Sequence, residues 1–118
     1  MKQITLIYKG VVYDVPMQEK VSFGRSSKND VVFPNRKELE GADRMFFVGV
    51  VSRNHFTIHQ DETGIFVEDN KSTHGTFVKG KAENEWEKVS GKFPLKDGDK
   101  LRLGEAENHN CVLEVKIQ

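Results

Sequence analysis

The sequence predicts an all-β fold of the sandwich or barrel type. Two observations carry that expectation: apolar residues alternate with polar ones at a period of two, and the alternating segments are short and separated by Gly, Asn and Asp punctuation rather than by helical stretches. A third is length, because 118 residues fill one ordinary domain with a sizeable core and leave little room for a second. One domain spanning residues 1–118 is therefore expected.

In chain order, Ile4 to Tyr8 forms the first apolar segment and Lys9-Gly10 follows it as a turn. Val11, Tyr13 and Val15 then alternate with Val12 and Asp14, and Val21 marks a third strand. Asn35 to Arg44 (NRKELEGADR) breaks the rhythm, being densely charged and without alternation; it reads as a long loop with one helical turn around Lys37 to Glu40. Phe56 and Ile58 alternate with Thr57 and His59, and Glu62-Thr63-Gly64 supplies the next turn signal. Further turns fall at Lys79-Gly80 and at Lys96-Asp97-Gly98-Asp99, with the polar stretch Lys81 to Lys88 between them holding the only tryptophan, Trp86. Leu101 and Leu103 flank Arg102, and Leu113, Val115 and Ile117 alternate with Glu114, Lys116 and Gln118 in the clearest strand of all. The pattern amounts to about nine to eleven strands.

Charge narrows the function. Eighteen basic and eighteen acidic residues cancel, so no global field draws the chain to nucleic acid or anionic lipid, and any anion must be caught by a local group of side chains. Aromatic residues such as Phe56 and Phe77 read as core rather than as a base-stacking platform. No apolar run approaches the ~20 residues of a membrane helix, and the residues after Met1 do not resemble a signal peptide. The lone Cys111 excludes an internal disulfide and reads as a buried, inert thiol within a strand. An intracellular protein, cytoplasmic or nuclear, is expected.

Three clusters at strand ends carry the chemistry. In Phe23-Gly24-Arg25-Ser26-Ser27, Gly24 permits a close backbone approach and Arg25 presents a planar fork of donors suited to an oxyanion. Alone, that reads better as a glycine turn with a solvated arginine. In Val51-Ser52-Arg53-Asn54-His55, a hydroxyl and a guanidinium stand side by side, and His55 reads as a structural residue tying loop backbone together. In Asp69 to Gly80, one polar turn offers hydroxyl, amide and imidazole groups before Phe77 and Val78 return to the core. Reading Ser52, His55 and Asp69 as a catalytic triad lacks a G-x-S-x-G elbow and an evident oxyanion hole. Metal binding by His55, His59, His74 and His109 lacks cysteine or carboxylate partners at ligand spacing, so no metal or cofactor is expected.

Taken in order, FGR (Phe23 to Arg25), SRNH (Ser52 to His55), STHGTFVKG (Ser72 to Gly80) and LKDGDKLRLG (Leu95 to Gly104) resemble the forkhead-associated (FHA) domain family over a motif core of residues 21–104. The resemblance implies an eleven-stranded antiparallel β-sandwich whose loops at one end bind phosphothreonine in an extended peptide. It further implies a phosphopeptide-binding module for signalling or assembly rather than an enzyme; a monomer is expected, and the balanced charge points to no nucleic-acid or membrane partner. Position by position, it assigns Arg25 to gripping the phosphate, Ser52 to donating a hydrogen bond to it, Arg53 to phosphate or peptide backbone, and Thr73 to a further phosphate contact. Gly24, His55 and Gly75 match positions that shape the loops. One departure concerns His74, which stands where the commonest family pattern has an asparagine contacting the peptide main chain; imidazole lacks the paired donor and acceptor of an amide. The alternative is a β-sandwich interaction module acting independently of phosphate.

Overall fold

The computed structural model describes residues 1–35, 49–105 and 111–118. Among these lie eleven strands: β1 (Ile4–Tyr8), β2 (Val11–Val15), β3 (Lys20–Gly24), β4 (Val31–Val32), β5 (Phe56–Asp61), β6 (Gly64–Asp69), β7 (Thr76–Lys79), β8 (Glu87–Lys88), β9 (Lys92–Pro94), β10 (Lys100–Leu103) and β11 (Val112–Ile117). They form two sheets, one ordered β2-β1-β11-β10-β7-β8 and the other β4-β3-β5-β6-β9. Of the segment expected as a long loop, only Asn35 is described; the helical turn expected around Lys37 to Glu40 lies outside the described residues.

Alternation dictates which face each strand buries. Along β1 the side chains of Ile4, Leu6 and Tyr8 point inward, and along β11 Leu113 and Val115 do the same opposite them. The two-residue connection between β1 and β2 places Lys9 at φ 46° and Gly10 at φ 82°. Positive φ at both central positions is the geometry whose twist matches a tight hairpin.

The expected antiparallel sandwich holds except at one edge, where β4 pairs with β3 in parallel, Phe23 opposite Val31 and Gly24 opposite Val32. Parallel neighbours ordinarily need a long crossover. Here the short connection is pinned back by Asp30, whose Oδ2 accepts hydrogen bonds from Ser22 N (3.0 Å) and Ser22 Oγ (3.3 Å), while Asp30 N donates to Ser22 Oγ (3.0 Å). The result returns the chain to the β3 edge immediately after the Arg25 loop.

Cys111, expected within a strand, is buried one residue before β11, where its carbonyl accepts from Leu103 N at 2.9 Å. Within the polar stretch before β8, Trp86 is half-buried beside the outer face of the first sheet. The Arg102 guanidinium lies 4.8 Å from its ring centroid and 4.6 Å from that of Phe77, with Lys79 Nζ 5.2 Å over the same indole.

Behind the loops that follow β3 and precede β5, the core is aromatic. Phe23 stacks on Phe56 at 4.3 Å and on Phe33 at 5.3 Å, and Tyr8 and Tyr13 meet Phe33 edge-on at 5.2 and 5.1 Å. Phe23, Phe33 and Phe56 are fully buried, each contributing about 1.5–3 kcal/mol of transfer free energy. This block is the floor on which the candidate site stands.

Candidate functional site

The site is assembled from three loops that touch at one end of the sandwich. The first two are fused through main chain: Arg25 N donates to Ser52 O (3.1 Å), Ser26 N to Arg53 O (3.0 Å) and His55 N to Phe23 O (2.8 Å). Such an approach leaves no room for a side chain at the crossing. A Cβ on Gly24 would overlap the Arg53 carbonyl oxygen and come within 2.9 Å of Asn54 Cα. Glycine is thus demanded by contact rather than by dihedral angle, because the Gly24 φ is not in the left-handed region.

His55 joins the second loop to the third. Its ring is fully buried; Nδ1 accepts from the Ser52 main-chain N–H (3.0 Å) and Nε2 lies 2.9 Å from Gly75 O. Since Ser52 N can only donate and Gly75 O can only accept, the ring is the neutral tautomer with its proton on Nε2. Burial lowers its pKa below the ordinary imidazole value, although the Gly75 carbonyl and the Asp69 charge act in the opposite direction. Both ring nitrogens are therefore committed to main chain and neither contacts Ser52 Oγ.

Asp69 organises the third loop. Its Oδ1 accepts from Ser72 Oγ (2.5 Å) and Thr76 Oγ1 (2.7 Å), its Oδ2 from Ser72 N (3.0 Å), and Ser72 Oγ in turn accepts from Gly75 N (3.0 Å). Partial burial pushes the carboxyl pKa upward, but these donors together outweigh it and hold the group below its usual range. Gly75 has φ 85°, the left-handed conformation that glycine adopts without steric cost. Asn70 completes the tie: its N donates to His55 O (3.0 Å) and its Nδ2 to Asn54 Oδ1 (2.7 Å) and Thr57 Oγ1 (2.9 Å).

These ties leave an open cavity of about 340 Å³ lined by Arg25, Gly49, Val51, Ser52, Arg53, Lys71 and Thr73. Arg25 is fixed through Nε to Val51 O (3.1 Å), which frees its terminal nitrogens. Ser52 Oγ accepts from Thr73 N (3.0 Å), so its own O–H remains available as a donor. Four of the residues singled out in the sequence, Arg25, Ser52, Arg53 and Thr73, thus share one cavity. His74 is exposed but does not line it, and Gly24, His55 and Gly75 lie behind or beneath it. Asp69 and Lys71 fall within the third sequence cluster, but sequence reasoning assigns neither of them a part in the site. Asp69 carried a local signal, since a serine three residues beyond an aspartate favours an Asx-type turn. Lys71 carried none, because nothing in its neighbours announces that its backbone adopts φ 57°.

Comparison with known proteins agrees with this architecture. The family model of the FHA domain matches residues 21–104, and the chain belongs to that family. No curated protein sequence matches the chain significantly. Among solved structures, the N-terminal FHA domain of Rad53p from S. cerevisiae, in complex with a phosphothreonine peptide, is 19% identical with a TM-score of 0.69, the match covering 98% of this chain and 94% of that one. EmbR of Mycobacterium tuberculosis, in complex with a low-affinity phosphopeptide, is 22% identical with a TM-score of 0.66; 98% of this chain is covered but only 24% of EmbR. FHA-1 of Rv1747 from the same organism is 16% identical with a TM-score of 0.61, covering 98% of this chain and 96% of that one.

Proposed function

We propose that this chain is a phosphothreonine-dependent peptide-binding module, and that it binds rather than catalyses. The observation that carries the reading is the cavity itself: Arg25, Arg53 and Lys71 line it together with the Ser52 and Thr73 hydroxyls, and among the described residues no carboxylate does. A phosphothreonine carries close to two negative charges and three acceptor oxygens, which match donors of this kind. A preference for threonine over serine requires an apolar notch for the threonine methyl, worth about 0.8 kcal/mol for one carbon. Catalysis by Ser52 lacks its base, since the His55 ring is held by Ser52 N and Gly75 O.

A few charge-assisted bonds, opposed by the ordering of a short peptide, correspond to micromolar binding, about −8 kcal/mol. The test is fluorescence anisotropy with degenerate peptide pools carrying phosphothreonine, phosphoserine or unmodified threonine. Micromolar binding confined to the phosphothreonine pool and reduced at least about tenfold by Arg25→Ala is expected, the loss of one charge-assisted contact pair. Equal binding of phosphorylated and unmodified pools would replace this reading with a phosphate-independent interaction module.

A further inference from the structure

The outer face of the first sheet carries a second group of cations, apart from the cavity. On β7 and β10 the residues Val78, Leu101 and Leu103 are buried, so Phe77 and Lys79 on one strand and Lys100 and Arg102 on the other face outward. Phe77, expected in the core, is therefore half-buried on this surface directly opposite Arg102, and Lys79 stands directly opposite Lys100. Trp86 lies over the group from the segment before β8, with Arg102 4.8 Å and Lys79 5.2 Å from its ring centroid. None of these five residues lines the cavity that holds Arg25.

Arg102 is held more firmly than a solvated arginine. Its guanidinium also lies 4.6 Å from the Phe77 centroid, and its Nε donates to Gly104 O (3.0 Å). With Nε engaged, the open edge of the fork is the pair of terminal nitrogens, and among the described residues no protein group accepts from them. That edge matches the two oxygens of a carboxylate approaching end-on. Anchoring Trp86 would take one cation, yet this face brings two to a single indole and sets a lysine pair across the strands, where like charges repel. Across the other ladder Lys100 faces Glu114, but the ion pairs among the described residues are His59 with Glu68 and Lys88 with Glu105, so none of the three cations is matched.

We propose that this face is a second docking surface and that its occupant is an acidic, extended segment of a partner protein. One carboxylate of that segment sits on the Arg102 fork, and Lys79 and Lys100 attract the acidic residues beside it. Tryptophan packed with arginine is also the composition found at the energetic centre of protein interfaces. Nucleic acid fits less well, because the indole already serves two cations instead of standing free for a base. Docking here needs no phosphate and leaves the Arg25 cavity open, so it stands whether or not that cavity reads phosphothreonine.

Trp86 is the only tryptophan, so its emission reports on this face alone. The probe is a short unphosphorylated peptide alternating glutamate and leucine, with a twin in which glutamine replaces glutamate and a short oligothymidine for comparison. Each is titrated against the full chain, by anisotropy when labelled with fluorescein and by Trp86 emission when unlabelled. The glutamate peptide is expected to bind at least about tenfold more tightly than its twin, the size of one charge-assisted contact, and to change Trp86 emission at saturation. Arg102→Gln is expected to remove that preference, and Arg102→Lys, which keeps the charge but not the fork, to lose most of it. Lys100→Gln is expected to reduce it about twofold to threefold, and because Lys100 is exposed this variant carries the test independently of folding. Equal or absent binding of the two peptides overturns the proposal. So does a glutamate preference that survives either glutamine substitution in full or that leaves Trp86 emission unchanged, since another cationic surface would then hold the peptide. Oligothymidine binding more tightly than the glutamate peptide overturns it in favour of nucleic acid.

Discussion

The two ends of the sandwich both carry a cavity, and the larger one is not the candidate site. At the end where β5 turns into β6, about 770 Å³ is lined by Met1, Lys2, Gln60, Asp61 to Phe66, Pro94 to Asp97 and Ile117. Its charges are mixed, with Asp61, Glu62 and Asp97 set against Lys2 and Lys96. The opposite end encloses less than half that volume, but every ionic group lining it among the described residues is cationic. The construction differs as well. The far turn is pinned by Asp61 accepting from Thr63 N and Oγ1 and by Gln60 bonding the Lys2 main chain, whereas at the loop end the His55 ring joins the second loop to the third and Asp69 braces the third from within. Volume shows where something fits; charge of one sign on a preorganised frame shows what it is.

That contrast can be broken by mutation. Gly24→Ala should have the largest effect, because the added carbon collides with main chain that cannot move without parting two loops. A loss of about 2–4 kcal/mol in urea unfolding is expected. A variant as stable as wild type would mean that the first two loops are not locked together. His55→Ala comes next, leaving Ser52 N without its acceptor and Gly75 O with only the Gly104 N–H, at a cost of about 1–3 kcal/mol, with peptide affinity falling in parallel. Asp61→Ala at the far end is the control, expected to lower the urea midpoint slightly through loss of the Thr63 bonds and to leave the affinity within error.

Acid sharpens the same contrast. The His55 pKa is depressed in the folded chain, so the unfolded chain binds the proton more readily. The associated stability is fully present above the unfolded value of about 6.5 and is lost as pH falls through the lower folded value. Asp69 is also depressed, and its share goes in a separate, more acidic window beginning near the ordinary aspartate value of about 4. Urea midpoints should therefore decline from about pH 6.5 downward in wild type, with the first part of that decline absent in His55→Ala.

How legible this molecule is from sequence depends on how long each element is. β1, β2, β10 and β11 bury every second residue and show it in the apolar pattern, whereas β5 starts that way at Phe56 and Ile58 but also buries His59 and Gln60. β4, β8 and β9 comprise Val31–Val32, Glu87–Lys88 and Lys92–Pro94, too short for any period to register, and they exist because a neighbouring strand offers an edge. Resemblance to a family, rather than periodicity, supplied the count of eleven. At the site, the residue types of Arg25, Ser52 and Arg53 suit an anion, but it is the ordered set of motifs and the family it resembles that assign them and Thr73 to a phosphate. The registers that bring them together are not local, and the separation between Arg25 and Val51 that one hydrogen bond closes is invisible to any short motif. Lys71 stayed hidden for a different reason: its importance lies in a backbone angle and a cavity wall, neither of which a residue type encodes.

The most direct test of where this protein binds is an amide chemical-shift titration of the isotopically labelled chain with a phosphothreonine peptide and with its unphosphorylated twin. The account predicts phosphate-dependent shifts at Arg25, Ser52, Arg53, Lys71 and Thr73, with the far-end amides of Gln60 to Ile65 unmoved. Phosphate-dependent shifts concentrated at Gln60 to Ile65, with the loop amides silent, would contradict it.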